Sequence, residues 1–265
     1  MPESLLPESQ LEIDNREGYD ALAPFYERHW GTAFFSSATM LFREFLSKRI
    51  GRGSRVLDLC CGTGDFAEWL AGQGMAVTGI DNSARMLSCA RAKLPETQFY
   101  EADMRSFRLT QRFDAATCFY NSINQALTLA SLKQSLSTVR EHLAVGGWFL
   151  FDVIQEHGYV EFWHADDLVK QDGRRCELHY RYDKIQGLAL CHASICSAAG
   201  EPTQEYTLYQ RPIDEQTVRH ELHCAGFCVE SVSTVRNAIP RRGRLAVLAR
   251  AVERLKVSDP HYDQP

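Results

Sequence analysis

Short apolar runs alternate with stretches of helical spacing through the first half of the chain, and strand-like alternation takes over later. Val56, Leu57 and Leu59 form an apolar run bounded by Gly53-Ser54 and Gly62-Thr63-Gly64, which predicts a buried strand ending in a glycine turn. Asp65 offers a helix N-cap, and Phe66, Ala67, Trp69 and Leu70 keep helical spacing until Gly72 and Gly74. A second strand, Ala76 to Ile80, closes on Asp81. Ser83 then caps a helix whose apolar face is Ala84, Met86, Leu87 and Ala90, ended by Pro95. Further strands are expected at Gln98 to Glu101, Phe113 to Phe119 and Trp148 to Val153, with a helix from Ser131 to Leu143. Upstream, Tyr19, Leu22, Tyr26 and Trp30 sit at helical spacing between Glu17 and Trp30, and Pro24 should bend or interrupt that helix. Another helix is expected from about Ala38 to Ile50. Downstream, Cys176 to Ile185, Leu188 to Ser197 and Gln204 to Ile213 alternate like antiparallel strands, with Gln186-Gly187 as a tight turn. A helix from Asp214 to Ala225 and strands Cys228 to Val235 and Arg244 to Ala251 complete the pattern.

Composition narrows the class. The 265 residues suffice for one large domain with an elaboration, and the formal net charge of −5 argues against a nucleic-acid partner. The basic run Arg241-Arg242-Gly243-Arg244 reads as a solvated loop. No apolar stretch approaches the roughly 20 residues of a membrane span, and the first ten residues lack the basic and apolar regions of a signal peptide, so a cytoplasmic protein without membrane contact is expected. Nine cysteines, an odd number spread over expected core elements, read as free thiols in a reducing compartment. His220, His223, Cys224 and Cys228 include no C-x-x-C pair, and no metal is expected. Residues 1–15 and the tail after Val257 are expected to be flexible.

The strand–glycine turn–helix–strand unit from Arg55 to Asn82 carries the chemistry. An acid at the tip of the second strand, Asp81, lies at the spacing of a carboxylate that binds a ribose hydroxyl. Gly62 to Ala67 also reads as G-x-G-x-x-A, the dinucleotide fingerprint. A dinucleotide needs a bare helix N-terminus for its diphosphate, whereas Asp65 stands there and would repel a second anion. With Asp58 late in the first strand, the acid-lined turn suits a cationic ligand that has an amino group and no phosphate. S-adenosylmethionine (SAM) fits that description better than NAD.

The segments D-L-C-C-G-T-G and G-I-D-N-S resemble motifs one and two of the class I SAM-dependent methyltransferases. Y-D-A-L-A-P-F-Y-E resembles the opening of a small-molecule branch that includes sugar N-methyltransferases. The resemblance implies an α/β fold, a Rossmann-like doubly wound seven-stranded sheet with an antiparallel β insertion capping the active site. The domain would span residues 16–257, with the cap at about 170–213. It implies that Asp58, Cys60, Gly62, Gly64, Asn82 and Phe119 bind SAM and that Tyr19 closes over its methionine end. Asp81 would hold the ribose, and Met86, Asp103 and Met104 would lie against the adenine. Asn121, Tyr26 and His29 would orient a small-molecule acceptor, an amine or a hydroxyl. Asn121 stands where the branch commonly has an acid, and an amide cannot act as a general base; His29 and Asp152 are the alternatives for a hydroxyl acceptor. Tyr26, His29, Trp30, Tyr180, Tyr182, His192, Tyr206 and Tyr209 either face the acceptor or pack, packing being favoured for those of the insertion. A non-catalytic SAM-binding module and an NAD-dependent oxidoreductase remain the competing classes, and either a monomer or a homodimer is compatible.

Overall fold

The computed structural model describes residues 13–196, 202–235 and 243–253. The expectations for the extreme termini, for Ser197 and for Arg241-Arg242 lie outside them.

Two helices open the chain, α1 (Arg16–His29) and α2 (Gly31–Leu41), the second continuing into a π-helical turn at Phe42–Leu46. Pro24 does not break α1, because Leu22, Ala23 and Phe25 on either side are buried and hold the helix from outside. The π turn closes with Ser47 N–H donating to Phe42 O, and it buries both Phe42 and Leu46. Then come β1 (Arg55–Leu59), α3 (Asp65–Gly72), β2 (Ala76–Asp81), α4 (Ala84–Lys93), β3 (Gln98–Glu101), β4 (Phe113–Cys118), a 3₁₀ turn (Ser122–Gln125), α5 (Leu129–His142), β5 (Leu143–Ile154) and α6 (Glu156–Phe162). The chain continues as β6 (Asp166–Gln171), β7 (Arg174–Asp183), β8 (Leu188–Cys196), β9 (Pro202–Gln210), α7 (Glu215–Ala225), β10 (Phe227–Thr234) and β11 (Arg244–Ala251).

Seven strands form one sheet in the order β10-β11-β5-β4-β1-β2-β3, in which β11 runs antiparallel to both its neighbours. Strands buried on both faces read as continuous apolar runs, and Val56, Leu57 and Leu59 are fully buried. One face packs on α5 and α7 through Leu132, Leu136, Val139, Val218 and Leu222. The other packs on α2, its π turn and α3 through Leu41, Phe42, Leu46, Phe66 and Leu70. Helices α3 and α4 approach closely at Gly64, where an added Cβ would lie 2.8 Å from Ala90 Cβ. The chain leaves β1 for β2 on one side and β4 lies on the other, so the topological switch point falls at the carboxyl ends of β1 and β4.

The second sheet is antiparallel, β6-β7-β8-β9. It starts at Asp166, ahead of the expected boundary, because β6 turns only Val169 fully inward and so shows no alternation. The β7–β8 connection is a four-residue loop, Lys184 to Gly187, rather than a two-residue turn. The inner face of this sheet packs on α1, whose Leu22 and Phe25 share a core with Val169, Cys176, Leu178, Cys191, Ala193, Ile195 and Leu208. Its other end meets the first sheet directly, with Ala189 packed on Ile154 and Gln210 Oε1 accepting from Asn121 Nδ2 at the β4 tip.

Candidate active site

An open cleft lies at the switch point. Its floor is the turn after β1 (Cys60 to Thr63) and the tips of β2 and β3 (Asp81, Asn82, Ala102 to Arg105), with Asp65 and Phe66 of α3 and Met86 of α4. The β4 tip adds Tyr120, Ser122 and Gln125, and the N-terminal segment closes the far side with Ile13, Asp14, Asn15, Tyr19 and Tyr26.

Each wall has a local cause. The glycine turn needs left-handed backbone: Gly62 has φ 55° and Gly64 φ 82°, but Cys60 adopts φ 55° as well. A non-glycine residue there is strained, and its thiol packs 3.8 Å from Met104 Sδ. Asp81 ends β2 with Oδ2 accepting from Gly62 N–H at 2.9 Å and Oδ1 from Ser83 N–H at 2.9 Å. Burial raises its pKa, opposed by the N–H groups of Ser83, Gly62 and Asn82. A carboxylate offers about four lone-pair sites, so acceptor capacity remains for a hydroxyl in the cleft. Asp58 lies behind the turn, 3% exposed, with Oδ1 accepting from Thr117 Oγ1 at 2.9 Å and Oδ2 unpartnered. Burial pushes its carboxyl up to about 7. Asp58 is not part of the cleft lining, so its second oxygen is buried behind the turn and not presented to a ligand.

Two expectations about charge need correction. Gly64, not Asp65, is the N-cap of α3; Asp65 is the first helical residue, and its carboxylate takes Lys93 Nζ at 2.5 Å and Thr63 Oγ1 at 3.1 Å. Lys93 offsets the repulsion that was to exclude a diphosphate, and no side chain caps the helix donors. Asp103 reaches the cleft but is gripped by Arg105, whose Nε and Nη2 both contact it. Burial alone would raise Asp103; the Arg105 side chain and amide outweigh it and hold the carboxyl below its ordinary value.

The acceptor residues are distributed differently from the sequence reading. Tyr19 and Tyr26 lie two turns apart on α1 and both line the cleft, and Gln125 Nε2 donates to the Tyr19 hydroxyl at 3.2 Å. His29 is exposed at the end of α1 and is not part of the lining. Asn121 is 7% exposed and turned away from the cleft: its Oδ1 accepts from Arg244 Nη2 at 3.0 Å, and its Nδ2 donates to Gln210 Oε1 at 2.8 Å. Asp152 is not a free base either, since it pairs with buried Arg244 and accepts from Asn121 N–H at 3.1 Å. This ion pair supports the β4 tip, where Tyr120 (φ 64°) and Asn121 (φ 53°) are both left-handed. The twist directs Tyr120 and Ser122 to the cleft in place of Asn121; their positions flanking it in Y-N-S were the available signal. Phe119 and Gly64 sit behind the lining, Phe119 edge-on to Phe66 with centroids 5.0 Å apart. Tyr180 and Tyr206 pack beside the α1 core, Tyr182 stacks on Tyr159, and Tyr209 packs near Leu127 and Leu188. His192 Nδ1 lies 3.2 Å from Thr207 Oγ1 on the second sheet. Among the described residues no cluster of three or more His, Cys, Asp or Glu side chains is placed to hold a metal, and no helix is long and apolar enough to cross a membrane.

Residues 56–147 match the family model described as a methyltransferase domain. A sugar N-methyltransferase from a Streptoalloteichus species superposes with a TM-score of 0.70 at 26% identity, over 89% of this chain and 93% of that one. Residues 56–147 thus carry a methyltransferase domain, and the chain is similar to SAM-dependent methyltransferases. The chain is 29% identical over 170 residues to the dTDP-3-amino-3,4,6-trideoxy-alpha-D-glucopyranose N,N-dimethyltransferase of Streptomyces venezuelae, covering 62% of the chain and 67% of the relative. It is 29% identical over 134 residues to the dTDP-4-amino-2,3,4,6-tetradeoxy-D-glucose N,N-dimethyltransferase of Saccharopolyspora spinosa, covering 51% and 52%. These alignments span between about half and two thirds of the relatives' own lengths. A SAM-dependent methyltransferase from Clostridium acetobutylicum has the same fold, with a TM-score of 0.73 at 19% identity over 89% of this chain and all of that one. The seven-stranded sheet is thus the class I arrangement.

Proposed function

We propose that the protein transfers a methyl group from SAM to the amine of a small molecule held between Tyr26, Tyr120, Ser122 and Gln125. The observation that carries this reading is the meeting, in one cleft, of the strand-tip acids Asp81 and Asp103 with the tyrosines of α1 and the β4 tip. Asp81 and Asn82 would hold the ribose, Met86, Met104 and Asp103 the adenine, and the turn at Cys60 to Gly62 the methionine end, under Tyr19. When bound, SAM supplies an electrophilic methyl on a sulfonium with a good leaving group. The protein's part is to orient the acceptor lone pair and exclude water; such alignment contributes about 7–11 kcal/mol in favourable systems.

An amine is favoured over a hydroxyl by the state of the nearby groups. Burial raises the pKa of Tyr19, Tyr26 and Tyr120, so none is a base near neutrality. Asp65 and Asp103 are engaged by cations, and Asp152 is tied to Arg244. A neutral amine brings its own lone pair and needs no strong base. The relatives named as N,N-dimethyltransferases of amino sugars support that class and make hydroxylated ring amines the first acceptors to try.

Calorimetric titration with SAM, S-adenosylhomocysteine and NAD in parallel tests the cofactor, followed by a screen of amines and alcohols for S-adenosylhomocysteine release. Micromolar binding of the first two and none of NAD is expected, and Asp81→Ala should weaken SAM at least tenfold. Tight SAM binding without turnover of any acceptor would favour a non-catalytic module; NAD binding would overturn the reading.

A further inference from the structure

We propose that Asp20 is a positioning residue for the cofactor, a latch that ties α1 to the Asp81 turn; this rests on the SAM reading above. Helix α1 presents Tyr19 and Tyr26 to the cleft, while the adjacent Asp20 reaches the start of α4. Its Oδ1 accepts from Ser83 Oγ at 2.6 Å and from Arg85 N–H at 3.1 Å. Ser83 is fully buried and is the N-cap of α4, its Oγ accepting from Met86 N–H at 3.1 Å. The Ser83 amide donates to Asp81 Oδ1, and Asp81 Oδ2 holds Gly62 N–H. One hydrogen-bonded path therefore runs from the lid helix through Ser83 and Asp81 to the glycine turn.

The chemistry of α4 explains why a carboxylate stands there. The first turn of a helix has unsatisfied N–H donors and a positive dipole end, and α4 has no acidic residue of its own in that turn. Asp20 supplies the acid from another element. Elsewhere α1 is bound to the second sheet through the shared apolar core and through Asn15, and to the β4 tip through Gln125, which donates to the Tyr19 hydroxyl and accepts from Asn15 Nδ2. The Asn15 side chain exchanges two bonds with the Tyr209 backbone, at 2.8 and 2.9 Å. With the latch made, Tyr19 is fixed against the cleft and the Asp81 turn is braced from outside. Without it, the lid follows the second sheet, and a bound cofactor leaves faster.

The charge of Asp20 also opposes ionisation of Asp81, so the two acceptor bonds and the charge are separable. Asp20→Ala removes both; Asp20→Asn keeps a carbonyl oxygen for the two donors and removes only the charge. Binding of S-adenosylhomocysteine is measured by calorimetry and its release by stopped flow, with melting of the ligand-free proteins alongside. The expectation for D20A is a dissociation constant about tenfold higher, most of it in the release rate, with D20N within about twofold of wild type. Equal binding by D20A and wild type would overturn the latch while leaving the cofactor reading intact. D20N as weak as D20A would also overturn it, because the acceptor bonds would then not be the operative contact. A wild-type protein that does not bind S-adenosylhomocysteine would overturn both.

Discussion

Replacing Asp58 by Asn turns a buried charge into a measurable pH dependence. Asp58 sits in β1 between Gly79 of β2 and Thr117 of β4, with one oxygen lacking a donor. Burial raises its pKa from 3.8 to about 7, opposed by the Thr117 hydroxyl and reinforced by Asp81. Between those two values the folded chain holds a proton that the unfolded chain has lost, so stability falls as pH rises through this window. The full loss is about 4 kcal/mol, complete above pH about 7. The Asn side chain has no such proton, and its carbonyl can still accept from Thr117. Its amide lacks an acceptor where Oδ2 stood, a pH-independent cost of roughly 1–3 kcal/mol. Without SAM, D58N should therefore be less stable than wild type near pH 4 and more stable, by roughly 1–3 kcal/mol, at pH 8 to 9. Urea unfolding at unit pH steps gives the difference directly. A difference that stays constant from pH 4 to 9 would refute the reasoning, since Asp58 would then not carry the proton.

Two further substitutions probe strain and the buried ion pair. Cys60→Gly should stabilise the protein by about 0.5–1 kcal/mol in thermal or urea unfolding, because relief of the left-handed strain, about 1–2 kcal/mol, outweighs the lost contact of the partly buried thiol with Met104; a lower melting temperature would contradict the strain. Arg244→Leu leaves Asp152 buried without its cation and Asn121 Oδ1 without that donor, and should cost roughly 3–5 kcal/mol. That corresponds to a melting temperature lower by roughly 6–20 °C, and a loss under about 1 kcal/mol would show that the pair does not support the β4 tip.

The cofactor half of the molecule was legible because its determinants are local. Apolar runs, glycines at the turn and acids at the strand ends lie within single elements, and strand ends at a switch point converge whatever the loops do. Expectations failed where distant chain segments decide. Asn121 looked like an acceptor ligand, yet Arg244, 123 residues away, captures its carbonyl and the left-handed backbone turns Tyr120 inward instead. Pro24 should have interrupted α1, but burial of its neighbours against a sheet formed more than 140 residues later holds the helix together. Asp166–Gln171 and Glu156–Phe162 were missed because an edge strand with one fully inward side chain and a seven-residue helix carry little periodicity.

The shared core of α1 and the second sheet also sets the order in which the molecule can be completed. A 14-residue helix is marginal by itself, and the apolar partners of Leu22 and Phe25 run from Val169 to Leu208. A chain emerging from the ribosome exposes α1 long before those partners are made, whereas β1 to β4 and their helices have one another from the start. The Asn15 clasp closes only when Tyr209 has been translated. Nascent chains that stop short of β9 would therefore carry the glycine turn and Asp81 without the tyrosine wall, so competence to retain a ligand arrives late in synthesis, well after the floor of the cleft has formed.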